Sequence, residues 1–188
     1  MSLYGAPVTL GVNVNKDTGE RLATLYLLRH ANAAAPASGE TDFDRQLSDK
    51  GVLACQSVVQ TIQAENIQPD LVLCSSSDRT RQTLSAIMGA WESPVPVEYL
   101  DAIYEAHPEE IRRAIAAYTA GNGSIMVIGH NPGLQMLTLA LSNNQNGDAY
   151  QKTATGFPPG ALAKLEVHPE LWEDVEPGKF TYLKLSTP

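Results

Sequence analysis

Cysteine is scarce in this chain: two of 188 residues, Cys55 and Cys74, with no paired spacing that reads as a metal clip or a redox motif. Two are also too few to staple a secreted scaffold, so reduced thiols in a cytoplasm are the simplest reading. Positive charge is short as well. Thirteen Lys and Arg against 21 Asp and Glu leave a net charge of −8, a surface that repels a phosphate backbone unless its few cations gather in one place. Nucleic acid is therefore not an expected partner. Long apolar runs are missing: Leu25–Leu28 and Ile125–Ile128 are far below the ~18 residues of a membrane span, and residues 1–22 hold no continuous apolar signal region. These absences predict a soluble, cytoplasmic protein with no membrane partner.

Several catalytic signatures are absent too. The chain has no Gly-x-x-x-x-Gly-Lys-[Ser/Thr] phosphate loop, no Gly-x-Ser-x-Gly elbow and no His-Glu-x-x-His. A cysteine phosphatase loop needs an arginine six residues after its cysteine, and six residues after Cys74 stands Thr80. Cys74 reads instead as a buried strand residue.

What is present is enough apolar residue, 43% against 18% charged, to bury one core, and a length that suits one domain of about 150 residues. Residues 24–188 are expected to form that single domain, with residues 1–23 an arm or edge strand, the strand itself at 8–14. Short apolar runs alternate with segments of helical period, the pattern of a layered α/β domain. The expected strands are Leu25–Leu28, Leu71–Cys74, Val95–Leu100, Ile125–Ile128, Ala161–Val167 and Phe180–Leu185. Ser48 is a helix cap, with Val52, Cys55, Val59 and Ile62 expected inward. A second helix runs from Arg79 with Leu84, Ile87, Met88 and Trp91 on one face, a third opens at Pro108, and a fourth covers Leu134–Leu141. The polar stretch Ser142–Gly156 is expected to be a loop. Together these predict a three-layer α/β/α sandwich around a mainly parallel sheet.

In open α/β sheets ligands bind beyond the carboxyl ends of the strands. Here those ends carry Arg29-His30, Ser75 to Arg79, and His130. One histidine after a strand is usually hydrogen-bonded structure. Two histidines and two arginines at three strand ends of an acidic chain form a pocket for a doubly charged anion, because guanidinium forks match phosphate bidentately. With the cysteine and serine motifs absent, histidine is the nucleophile left.

Leu28-Arg29-His30-Ala31, Ser75-x-x-x-Arg79-x-x-Gln82-Thr83 and Gly129-His130-Asn131-Pro132-Gly133 together resemble the histidine phosphatase (phosphoglycerate mutase-like) superfamily, and within it the short SixA-like phosphohistidine phosphatases. Asp44-Arg45-Gln46-Leu47-Ser48-x-x-Gly51 and Phe157 to Ala163 are similar to further segments of that branch. The chain departs from the superfamily's usual residues at Ala31 for Gly, Ser76 for Pro, and Ala33, which lacks a hydroxyl.

The resemblance implies that His30 is a nucleophile forming a phosphohistidine and that Arg29, Arg79 and a protonated His130 hold the phosphoryl oxygens. No metal and no cofactor is implied. Glu105 is the general-acid candidate, just past the third strand, against the plainer reading of a solvated carboxylate. Asn32 and Arg45 are candidates for the pocket mouth, against that of solvated loop residues. The implied activity is a metal-independent phosphatase acting on phosphohistidine carried by a protein. A small-molecule phosphomonoesterase and a catalytically silent phosphate-binding module stay open as alternatives.

Overall fold

The computed structural model describes Asn13–Val14 and residues 21–188. Its elements, in chain order, are β1 (Asn13–Val14), β2 (Arg21–Arg29), α1 (Asp49–Ala64), β3 (Leu71–Ser75), α2 (Asp78–Ile87), β4 (Val97–Leu100), α3 (Pro108–Ala116), β5 (Ser124–Gly129), α4 (Gly133–Leu141), α5 (Asp148–Thr155), β6 (Leu162–Val167) and β7 (Thr181–Ser186). The main sheet runs β4-β3-β5-β2-β6-β7. The pairs β4·β3, β3·β5 and β5·β2 are parallel, whereas β2·β6 and β6·β7 are antiparallel. Of the strand expected at 8–14, Asn13–Val14 pairs antiparallel with Arg21–Leu22, and the remainder lies outside the described residues.

Side chains alternate across a strand, and the sheet uses that period to build a core on each face. Leu25 and Leu27, with Leu71, Leu73, Ile125 and Val127, face one layer, where α3 and α4 contribute Ile111, Ile115, Leu134 and Leu137. Tyr26 and Leu28, with Val72, Cys74, Met126 and Ile128, face the other, where α1 and α2 contribute Cys55, Val58, Ile62, Leu84 and Ile87. Each such side chain contributes about 1.5–3 kcal/mol by leaving water. The result is the expected three-layer α/β/α arrangement.

Three sequence expectations are corrected. Val52 and Met88, predicted inward, are exposed, and the buried face of α1 is Gly51, Ala54, Cys55, Val58 and Ile62. Gly51 sets that face: a Cβ there would lie 2.1 Å from the Asn32 carbonyl oxygen, so the helix seats its smallest residues against the chain and turns Val52 outward. On α2 the regular helix ends at Ile87, before Met88. The stretch read as a loop contains α5, whose Thr153 hydroxyl pairs with the buried Tyr182 hydroxyl at 2.6 Å. That helix is held by tertiary contacts to β7 and has too few apolar residues to announce itself by period.

Among the described residues no helix is long and apolar enough to cross a membrane.

Candidate active site

Strand register brings the two histidines together. In the parallel pair β2·β5, Leu28 stands opposite Ile128 and Arg29 opposite Gly129, so His30 and His130 leave the sheet side by side. Their rings are 5.1 Å apart. β3 lies on the other side of β5, with Cys74 opposite Ile128, which puts Ser75 at the same level. The segment that follows turns into α2, whose first turn carries Arg79. A cation there opposes the positive end of the helix dipole, so it needs an anion nearby.

His30 is buried, and its Nδ1 lies 2.7 Å from the Ala31 carbonyl oxygen. Nδ1–H therefore donates to that oxygen, and the lone pair sits on Nε2. Nε2 accepts from Arg79 Nε at 3.3 Å. Burial lowers the His30 pKa to about 4; the Ala31 carbonyl pulls it back up, and the charges of Arg79, Arg29 and Arg45, each smaller than that pull, add to the fall. The ring is a neutral base at neutral pH.

Arg79 also reaches Asp42, Glu105 and His130. Its Nη2 donates to Asp42 Oδ2 at 2.9 Å and to Glu105 Oε1 at 3.3 Å and lies 3.3 Å from His130 Nδ1, while Nη1 donates to the Asp42 carbonyl. Its side chain is 3% exposed. His130 Nε2 is 2.8 Å from Ser75 Oγ. Burial first, then His30 and Arg79, push the His130 pKa down to about 3. Buried beside a guanidinium, the ring is held neutral here, whereas the resemblance implied a protonated His130 against a phosphoryl group.

Arg29, Arg45, Asn32 and Glu105 line the same cavity of about 290 Å³ as His30, Arg79 and His130, together with Ala33, Asn131 and Pro159. Arg29 Nη1 donates to the Phe157 carbonyl at 2.8 Å, and its buried Nε has no partner. Arg45 donates through Nε and Nη2 to the Ala34 carbonyl and through Nη1 to Asp42 Oδ1. Asn32 is held through its carbonyl, which accepts from Ser48 N and Oγ. Glu105 adopts φ +46°, a left-handed conformation uncommon outside glycine and found where a site fixes the backbone. A second close approach secures it: a Cβ on Gly133 would lie 2.2 Å from the Ala106 carbonyl oxygen, so α4 packs tightly against the Glu105 segment.

A model of the histidine phosphatase superfamily, branch 1, matches residues 25–111. A SixA structure from Agrobacterium tumefaciens is 30% identical, with a TM-score of 0.75 over 88% of this chain and 98% of its own. One from Nakamurella multipartitia is 28% identical, with a TM-score of 0.76 over 89% of this chain and 96% of its own. An uncharacterised protein of Mycobacterium tuberculosis is 32% identical over 153 residues, 80% of this chain and 93% of its own length. The chain belongs to the histidine phosphatase superfamily, in its SixA-like branch.

All seven residues singled out in the sequence of this SixA-like chain, Arg29, His30, Asn32, Arg45, Arg79, Glu105 and His130, meet at one cavity. Two participants were not anticipated. Asp42 binds Arg79, Arg45 and the Tyr104 hydroxyl, the last at 2.8 Å, and Arg45 first among these partners holds its carboxyl far below the usual range. Tyr104 packs its ring edge-on to His130 at 5.2 Å. The spacing Asp42-x-x-Arg45 before the Ser48 cap was the available signal for Asp42. Cys74, read as a strand residue, is buried, and burial pushes its thiol up to about 12.

Proposed function

We propose that this protein is a phosphatase that works through a covalent phosphohistidine at His30 and removes phosphoryl groups from phosphohistidine on a protein. The observation that carries the reading is the His30 ring: Nδ1–H is tied to Ala31, and the Nε2 lone pair faces a cavity ringed by three guanidiniums. Nε2 attacks phosphorus as the bond to the leaving group breaks. Water then attacks the phosphoryl group from the side the leaving group vacated and returns Nε2 to its free state. Arg29, Arg79 and His130 hold the phosphoryl oxygens in this reading, with Arg45 and Asn32 at the mouth. The guanidiniums supply the positive charge that phosphoryl transfer demands, so no metal ion is invoked.

Support for the substrate comes from two directions. The SixA proteins of Agrobacterium tumefaciens and Nakamurella multipartitia are assigned, provisionally, as phosphohistidine phosphatases. Glu105 and His130 are only 25 positions apart, enough for α3 and β5 and no large lid, and the open mouth suits a phosphate carried on a protein. Glu105 in the cavity wall favours a second reading, a small phosphomonoester whose alkoxide needs a proton. Assaying a histidine-phosphorylated protein beside a panel of phosphomonoesters separates the two. Acid-quenched turnover should trap an alkali-stable phosphoryl adduct, and hydrolysis of neither substrate class would overturn the proposal.

A further inference from the structure

Ser75 is fully buried, and its Oγ lies 2.8 Å from His130 Nε2. The other ring nitrogen, Nδ1, faces Arg79 Nη2 at 3.3 Å, on the side of the cavity that both residues line. An arginine N–H can only donate. In the free protein Nδ1 is therefore an acceptor, the single ring proton is on Nε2, and Nε2–H donates to Ser75 Oγ. A phosphoryl oxygen reverses the requirement: it can only accept, so the Nδ1 that meets it must carry a hydrogen.

Two routes put a proton on Nδ1. The ring can take up an extra proton and become a buried imidazolium beside Arg79 and His30, or it can keep one proton and move it from Nε2 to Nδ1. The second leaves Nε2 needing a donor, and Ser75 Oγ supplies one, because a hydroxyl both accepts and donates. We infer that Ser75 is a positioning residue that lets His130 exchange tautomers, accepting from Nε2–H while Nδ1 faces Arg79 and donating to Nε2 when Nδ1 faces an oxyanion. The ring carries one proton in each state, the Nε2 proton leaving to solvent as Nδ1 takes one up from solvent, so His130 donates to the oxyanion with no change of charge. This rests on the reading of the cavity as a phosphoryl site.

The test is nitrogen NMR of histidine-labelled protein, with and without tungstate as a tetrahedral dianion. The His130 ring should pass from the Nε2–H to the Nδ1–H tautomer and stay neutral. Ser75→Ala should bind tungstate ~10-fold more weakly, the scale of one buried polar group left unpaired, and should take up a proton on binding, seen as a dependence of the calorimetric heat on the buffer's ionisation enthalpy. Ser75→Thr restores the hydroxyl and should restore affinity. A doubly protonated ring in the wild-type complex, or a ring unchanged by tungstate, would overturn the inference. Absence of any tungstate binding would instead strike the phosphoryl-site reading. The wild-type spectra decide the question even where Ser75→Ala fails to fold.

Discussion

Arg79 Nε points at His30 Nε2 across 3.3 Å, so the base of one residue is covered by the cation of the other. A phosphoryl group entering between them meets a lone pair from one side and a guanidinium from the other. That guanidinium is aimed by its outer contacts, with Asp42 and Glu105 accepting from Nη2 and the Asp42 carbonyl from Nη1.

His30→Ala removes the proposed nucleophile without disturbing the core, and turnover should fall to background with the circular dichroism spectrum preserved. Arg79→Ala should lower kcat/KM by at least ~10²-fold, the usual scale for one preorganised charge stabiliser. Steady-state kinetics on each purified variant checks both, and a His30→Ala protein with near-native turnover would exclude the covalent route.

Asp42 carries a prediction of its own. Its carboxylate bridges Arg79, Arg45 and the Tyr104 hydroxyl and lies outside the cavity lining, so its effect passes through the cations it holds. Asp42→Ala should lower kcat/KM about 10-fold, the cost of a charge-assisted hydrogen bond lost at a positioned group, and Asp42→Asn should lose less because the amide oxygen still accepts. Kinetics of Asp42→Ala indistinguishable from wild type would show that Arg79 holds its orientation unaided.

Acid should destabilise this protein earlier than carboxylate protonation alone would. His30 and His130 have folded pKa values lowered to about 4 and about 3 from an ordinary 6.5. Between those limits the unfolded chain binds protons that the folded chain refuses, and stability falls as pH drops through that window. Asp42, whose pKa is also depressed, adds a loss that begins as pH falls through the ordinary carboxylate range, where the unfolded chain starts to bind that proton. Thermal melts across pH 4 to 7 (about the span of histidine titration) should show a slope that shrinks in His30→Ala and in His130→Ala. An unchanged slope in both would remove the buried histidines as its source.

Much of this architecture was legible because the strands that carry the site are buried on both faces. Leu25–Leu28 and Ile125–Ile128 are continuous apolar runs that stop at Arg29-His30 and Gly129-His130, so both the strands and their reactive ends could be read from residue type. Asp42 was barely legible, since Asp42-x-x-Arg45 is the one local cue to an exposed loop carboxylate whose other cation, Arg79, lies 37 positions away in the chain. The lowered pKa of His130 was not legible for a related reason: residue type gives an ordinary histidine, and burial beside His30 and Arg79 is what pushes it down. The face of α1 escaped because contact with the Asn32 carbonyl selects glycine at position 51, which an apolar period does not count.

That contact is open to test. Gly51→Ala would place a methyl 2.1 Å from the Asn32 carbonyl oxygen, where backbone meets backbone. Overpacking of this kind costs about 1–3 kcal/mol, and Asn32 lines the cavity, so both melting temperature and kcat/KM should fall. A stable, fully active Gly51→Ala would show that α1 can shift without moving the site.

Glu105 separates the two substrate readings. Its carboxylate lines the cavity and accepts from Arg79 Nη2 at 3.3 Å, so it can serve as a proton donor to a leaving group or as an orienter of the guanidinium. An alkoxide leaving group must be protonated in the transition state, a contribution of ~10² to 10⁴-fold, and Glu105→Gln should cripple hydrolysis of an alkyl phosphate by at least ~10²-fold. An imidazole leaving group is less demanding, because its second ring nitrogen can arrive already protonated and the ring then departs neutral. The same variant should therefore keep most of its activity on a histidine-phosphorylated protein. Measured with both substrates at matched pH, a large loss on the ester beside a small loss on phosphohistidine assigns the acid role. Equal losses on the two would mean that Glu105 acts only through Arg79, and no loss on either would leave its carboxylate as solvated surface.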